Sequence, residues 1–297
     1  MHKFLSEFRL NRIPSFSQRR NEMRKKSNLV ALAVAVVLMA VWGQVFAAGG
    51  HPGFSPVLDR IMAKKELVVG TAASMPPLNM TTKDGQIIGM EMDLARSFAN
   101  AMDVKLTVKP MHFNDLLPAL EAGQVDMVLS GMTITPARNL KVAFVGPYFA
   151  SGKSILAKMA YVESVNEIGK MNNPDKVLVA LKGSTSQMFV EKVMPNARLV
   201  LADDYDQAVA MVRNDKAIVM VADYPICMVS VYRYPDAKLG TLEKPISYEP
   251  VGVALPAGDP LLVNWVQNFL QTLEKTGQTK MLLEKWFKDT SWVSRLP

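Results

Sequence analysis

The sequence predicts an α/β protein of two units, and three observations predict it. Short apolar runs alternate with segments of helical periodicity in the order strand, helix, strand, helix, strand. At these lengths that order implies a parallel sheet with helices on its faces. The same order begins again near Ser154. Between the two, Ser130 to Arg138 joins the end of a buried strand to a helix start, where open α/β sheets hold their ligands.

The 297 residues suit one large domain or two medium ones, and 49% hydrophobic with 21% charged residues is a globular composition. The net charge of +7 is unevenly placed. Residues 1–47 carry eight Lys/Arg against Glu7 and Glu22; without them the chain has 26 basic and 25 acidic residues, a net of +1. A nearly neutral mature chain removes the main support for nucleic acid as a partner. The leader has the parts of a secretion signal. Arg24-Lys25-Lys26 precede the apolar run Leu29 to Val41, and Val45-Phe46-Ala47 offers small residues for cleavage after Ala47. Met23 would begin a signal of ordinary proportions and is the expected start. An uncut leader is the competing reading, since Leu29 to Ala48 is just long enough to span a bilayer. The residue directly after the cleavage site is Ala48 and not a cysteine, which excludes a lipid anchor there. The single cysteine, Cys227, lies in an apolar run, forms no internal disulfide and is expected in the core.

Glu66 to Thr71 reads as a buried strand, Ala72 to Pro77 as the loop at its carboxyl end, and Lys83 to Gln86 as a turn. Met90 to Met102 has apolar residues at helical spacing, Val104 to Val108 alternates as a strand, and Phe113-Asn114-Asp115 opens a helix ending at Gly123. Asp126 to Leu129 is the next strand. In the second unit Lys176 to Leu181, Leu199 to Ala202 and Ala217 to Ala222 are strands, the last ending at Asp223. Ser184 with Gln187 fits a capping box, and Tyr205 to Arg213 is a helix. Tyr248 to Leu255 is a further strand. Asp259 and Pro260 start a long helix with Leu262, Trp265, Val266, Phe269, Leu270 and Leu273 on one face, and Gly277 ends it. Lys280 to Lys288, with Trp286-Phe287, is the last helix. The apolar stripe is expected to pack on the first unit, so that the chain crosses between units near Ala150 and Pro250.

The 130–138 stretch offers Thr135 as N-cap, Pro136 at the first helical position and Arg138 in the first turn. A helix start leaves N–H groups unpaired and favours an anion, while a first-turn cation opposes the dipole. An outside carboxylate between the guanidinium and those N–H groups resolves the conflict; an Arg paired with a surface acid would leave the same trace.

Ser130 to Arg138 followed by Phe144-Val145-Gly146-Pro147-Tyr148 resembles a block of the bacterial periplasmic amino-acid-binding proteins, the family 3 solute-binding components of ABC importers. Gly89-Met90-Glu91-Met92-Asp93-Leu94, Phe113 to Leu120, and Gly252 to Pro256 with Gly277 and Lys285-Trp286-Phe287 continue the resemblance in order over about residues 60 to 290. It implies two α/β lobes of type II topology joined by two hinge strands, residues 56–150 with 248–297 and residues 151–247, closing on a ligand in the cleft. It also implies the site. Arg138 would hold the ligand α-carboxylate with backbone N–H groups at Thr133 and Ser186, beside Thr185. Asp223, the Gly131 carbonyl and the Thr133 hydroxyl would receive the α-ammonium, and Phe113 would stack on the side chain. Met75 stands where the family often has an aromatic, and Ala72 where some binders of polar amino acids have an acid. Both, with Ala222, favour a neutral or apolar side chain. Lys182 either reaches a polar ligand tail or is a solvated loop lysine.

Neither a metal nor a cofactor is expected. His51 and His112 are far apart without a cysteine pattern, no phosphate loop or nucleophile elbow is present, and the 20 methionines include Met80, Met90, Met92 and Met132 at core positions. Trp286 and Phe287 are expected to pack. The reading is a periplasmic receptor, monomeric as the family implies, that delivers an amino acid to an inner-membrane ABC permease and has no catalytic residues. Two alternatives stay open. The fold resembles exported cyclohexadienyl dehydratases, which would need a cleft acid that Asp223 alone does not supply. A sensory module is the other, although no kinase or cyclase segment follows residue 297.

Overall fold

The computed structural model describes residues 55–164 and 168–297. The leader, its cleavage point and the start at Met23 lie outside these residues. The described chain begins with α1 (Pro56–Lys64) and β1 (Glu66–Thr71). A small antiparallel ribbon follows, β2 (Ser74–Met75), β3 (Asn79–Thr81) and β4 (Ile87–Ile88), where the sequence predicts only a loop and a turn. Strands of two or three residues are too short to show a period of two, so only pairing reveals them. Then come α2 (Met90–Ala101), β5 (Lys105–Pro110), a turn of 3₁₀ helix at Phe113–Asp115, α3 (Leu116–Glu121) and β6 (Met127–Val128). The one-turn α4 (Pro136–Asn139) leads to β7 (Ala143–Ser151) and β8 (Lys153–Lys158), separated only by Gly152.

After α5 (Met159–Ser164) the chain forms β9 (Val177–Leu181), α6 (Thr185–Val193), β10 (Arg198–Ala202), α7 (Tyr205–Arg213), β11 (Val219–Asp223) and α8 (Tyr224–Arg233). It continues through β12 (Leu239–Thr241) and β13 (Glu249–Leu255) to α9 (Pro260–Lys275) and α10 (Gln278–Leu283). The predicted elements are recovered within a few residues at their ends.

Two five-stranded sheets result, ordered β5-β1-β6-β13-β7 and β10-β9-β11-β8-β12. In the first, β5, β1 and β6 are parallel, as the strand–helix alternation predicts, and β13 runs antiparallel to β6 and β7. In the second, β10, β9 and β11 are parallel, and β8 and β12 add antiparallel strands that the sequence reading did not separate. The chain passes between the sheets on β7 and β13, where Pro250 is opposite Ala150.

The stripe of α9 packs on the first sheet's helices. Phe98 of α2 meets Trp265 at 6.0 Å and Phe269 at 5.3 Å between ring centroids. Phe149 and Phe287 are 4.8 Å apart, and Trp286 Nε1 donates to Asp93 Oδ2 at 2.8 Å, so both C-terminal aromatics pack. Met80, Met90, Met92, Met132 and Cys227 are all buried.

Candidate functional site

Arg138 enters the site from α4. Thr135 Oγ1 accepts the Arg138 backbone N–H at 3.2 Å, the N-cap the sequence predicts. The helix, however, is four residues long, and a single turn aligns few peptide dipoles. What this stretch offers to an anion is the guanidinium rather than a helix terminus. That guanidinium is buried, at 7% exposure for the residue. Nη1 donates to the Thr133 carbonyl at 2.8 Å and Nη2 to the Gly183 carbonyl at 3.0 Å, and the Phe113 ring centroid lies 5.6 Å from Cζ. Thr133 follows the first sheet and Gly183 precedes α6 of the second, so one side chain ties both halves. Burial pushes the Arg138 pKa down to about 10, against the pull of Asp223, Glu249 and Tyr205. Arg138 still carries its charge at neutral pH. Among the described residues no carboxylate lies within 4.0 Å of it.

A second group faces it. Lys153 is opposite Asp223 in the antiparallel register of β8 and β11, which places both side chains on one face. Lys153 Nζ donates to Asp223 Oδ1 at 2.6 Å and to Thr185 Oγ1 at 2.7 Å, and lies 3.5 Å from Glu249 Oε2. Lys153 is 1% exposed and Asp223 6%. Asp223, expected to receive an ammonium group from a ligand, already has one from the chain. Neither Lys153 nor Glu249 was among the expected site residues. A trace of Lys153 is visible in the sequence: Gly152-Lys153-Ser154-Ile155-Leu156-Ala157 sets a lysine into a strand that is otherwise small and apolar, and lysine is almost never buried without a partner.

The third group supports the 130–138 stretch from below. Gly131 has φ +56, and a Cβ there would lie 2.8 Å from Met75 Cε. Its N–H donates to Glu91 Oε1 at 2.6 Å. Glu91 is fully buried, accepts from Asn79 Nδ2 at 2.5 Å and receives the Tyr148 hydroxyl. Burial raises the Glu91 pKa above 4.5, with the bonds from Tyr148, Gly131 and Asn79 acting against it.

The remaining predicted positions gather around these groups. Thr133 and Thr185 bring their hydroxyls to 3.4 Å. Ser186 is buried in the first turn of α6. Met75 and Phe113 are buried in one apolar cluster, with half-buried Ala72 packed against it, and the Ala72 N–H donates to Ser130 Oγ at 2.8 Å. Ala222 is buried in the same cluster. Lys182 is exposed and is a solvated loop residue. At the α6 N-terminus Ser184 Oγ accepts the Gln187 N–H at 3.2 Å. The Gln187 side chain returns to the N–H of Gly183, one residue earlier than the capping box requires, at 2.7 Å.

The sequence pattern of the bacterial extracellular solute-binding proteins, family 3, matches residues 67–289, which include every residue of this site. The chain belongs to that family. The ABC transporter glutamine-binding protein GlnH of Bacillus subtilis is 26% identical over 276 residues, covering 90% of this chain and 98% of that protein. The cyclohexadienyl dehydratase of Pseudomonas aeruginosa is 22% identical over 231 residues, covering 78% of this chain and 86% of the enzyme. A binding component of an ABC transporter from Wolinella succinogenes, crystallised with lysine, superposes with a TM-score of 0.74 at 35% identity, over 78% of this chain and 99% of that one. As a family 3 protein this chain has the two-lobed architecture of its structural relatives, and the Arg138 and Lys153 groups stand where its two sheets meet.

Proposed function

We propose that this protein is the exported solute receptor of an ABC importer, which closes two lobes on a small α-carboxylate solute of amino-acid size and delivers it to a membrane permease. The lobes are residues 56–150 with 248–297 and residues 151–247, and the receptor works as a monomer. One observation carries the reading: Arg138 is a buried cation whose named partners are two neutral carbonyls. A buried charge needs an opposite charge, and a planar guanidinium with five donors suits a carboxylate. The names of the relatives, glutamine-binding and lysine-bound, agree in ligand size. Met75, Phe113, Ala72 and Ala222 belong to one apolar cluster, which supports a neutral or apolar side chain.

The testing experiment is a thermal-shift screen against the amino acids, their deaminated relatives, dicarboxylates, prephenate and arogenate. A ligand at a hundred times its Kd adds about 2.7 kcal/mol to stability, a shift of several degrees. Arg138→Ala is expected to weaken the best ligand by about 2–5 kcal/mol, roughly 30-fold to several-thousand-fold. Unchanged binding in that variant sinks the assignment.

A second reading, a lyase on the same fold, draws on Glu249. This carboxylate, 3.5 Å from Lys153, is a second acid beside Asp223 and, once it has taken up a proton, would be of the kind needed to protonate a leaving hydroxyl. The dehydratase of Pseudomonas aeruginosa is a relative with such chemistry in its name. Turnover of prephenate or arogenate, lost in Glu249→Gln, would replace the receptor reading with this one.

A further inference from the structure

The lysine–aspartate pair narrows the ligand class, on the basis of the receptor reading above. A lysine ammonium has three donors; Lys153 gives one to Asp223 Oδ1 at 2.6 Å and one to Thr185 Oγ1 at 2.7 Å, and it is ion-paired with Glu249, whose Oε2 lies 3.5 Å away. Strand register brings the two side chains to one face, since Lys153 and Asp223 are cross-strand partners, and the two hydrogen bonds hold the ammonium there. Glu249 is committed as well, with Oε1 accepting from Ser247 Oγ at 3.2 Å. A ligand ammonium that reached Asp223 would either lie against a second ammonium or expel Lys153 from a buried ion pair.

The neutral groups point the same way. The Thr185 oxygen accepts from Lys153, so its hydrogen is left to donate, either to Thr133 Oγ1 at 3.4 Å or to an acceptor on the solute. An ammonium has no lone pair for that bond; an oxo or hydroxyl oxygen has. Arg138 meanwhile calls for a carboxylate. We infer that the solute is a carboxylate with an oxygen in place of the ammonium group at its 2-position, a 2-oxo or 2-hydroxy acid, and that Lys153 sets this preference.

Calorimetric titration of the purified protein with matched series tests this. The probes are leucine, 4-methyl-2-oxopentanoate and 2-hydroxy-4-methylpentanoate, then phenylalanine, phenylpyruvate and phenyllactate, then alanine, pyruvate and lactate. In whichever series binds, the oxo or hydroxy acid is expected at least about tenfold tighter than the amino acid, about 1.4 kcal/mol. In Lys153→Met the gap narrows or reverses, because Asp223 is released to accept an ammonium. If that variant does not fold, Lys153→Met/Asp223→Asn, which removes both charges, is expected to lose the discrimination while still binding carboxylates. An amino acid that binds the wild type as tightly as its deaminated partners overturns the inference and leaves the receptor reading standing. A preference for the oxygen-bearing acids that survives undiminished in the variants overturns the role of Lys153. No binding in any series overturns the inference, and the role of Arg138 is then judged by the thermal-shift screen and Arg138→Ala.

Discussion

Lys153 and Asp223 stand opposite each other on β8 and β11 and join in a 2.6 Å ion pair where the two sheets meet. The pair is almost without water, so its two halves depend on each other. Removing Asp223 leaves Lys153 with only Glu249, 3.5 Å away, and this costs more than removing both members of the pair.

Asp223→Ala is therefore expected to destabilise the protein by about 3–5 kcal/mol. Lys153→Met/Asp223→Leu, which fills the space with apolar groups and leaves Glu249 with Ser247 as its partner, is expected to lose less than Asp223→Ala. Urea unfolding of the two variants checks the contrast, and equal losses would mean that the pair is not coupled.

Asp259 caps two helices at once. Its Oδ1 accepts the Leu262 N–H at 3.0 Å at the start of α9, and its Oδ2 accepts those of Val57 and Leu58 at 2.8 and 3.1 Å at the start of α1. Ser55 adds its hydroxyl. Asp259→Ala is expected to lose about 2–3 kcal/mol, from two caps at roughly 1 kcal/mol each with a buried group left unpaired. Burial raises this carboxyl, but the four hydrogen bonds outweigh it and hold the pKa below 3.8. A lowered pKa gives stability that is present above 3.8 and lost as pH falls through the folded value. Unfolding curves between pH 2 and 7 should show the gap between wild type and Asp259→Asn closing on the acid side only.

Glu91 has the opposite sign. Its pKa is raised by burial, so its stabilisation is full below 4.5 and lost as pH rises through the folded value. Gln in its place removes the titration. It also keeps the acceptor for Gly131 and Tyr148, and its new amide can donate to Asn79 Oδ1, which is buried without a partner, once the Asn79 amide turns over. The melting temperature of Glu91→Gln relative to wild type should climb from pH 4 to pH 8. A flat difference over that range would count against the assignment.

Gly89 opens α2 with φ +136, and a Cβ there would lie 2.1 Å from the Leu78 carbonyl oxygen. Both the backbone conformation and the contact exclude a side chain. Gly89→Ala is expected to cost about 3 kcal/mol or more, read as a fall in melting temperature by calorimetry. A variant as stable as wild type would show that the Leu78 loop moves freely.

Much of the fold was legible because its signals are local. The helix over Tyr205–Arg213, the cap at Thr135 and the start of α9 at Pro260 are each written within a few residues, as period or as cap chemistry. The ribbon of β2, β3 and β4 was hidden because strands that short have no period. β8 was hidden because a single residue, Gly152, separates it from β7.

The site divides along the same line. Arg138 was marked by its place in one continuous stretch, whereas Thr133, Gly131, Thr185 and Ser186 entered as site candidates only through the family resemblance. What the sequence alone determined is the α/β class, the strand ends and the residues that converge there. What only the tertiary structure decided is the state of those residues. Lys153 is 70 positions from Asp223 and 96 from Glu249, and its meeting with them depends on which strand lies beside β11 and in which register. Pairing across such distances is settled by packing the whole sheet, and no local pattern records it.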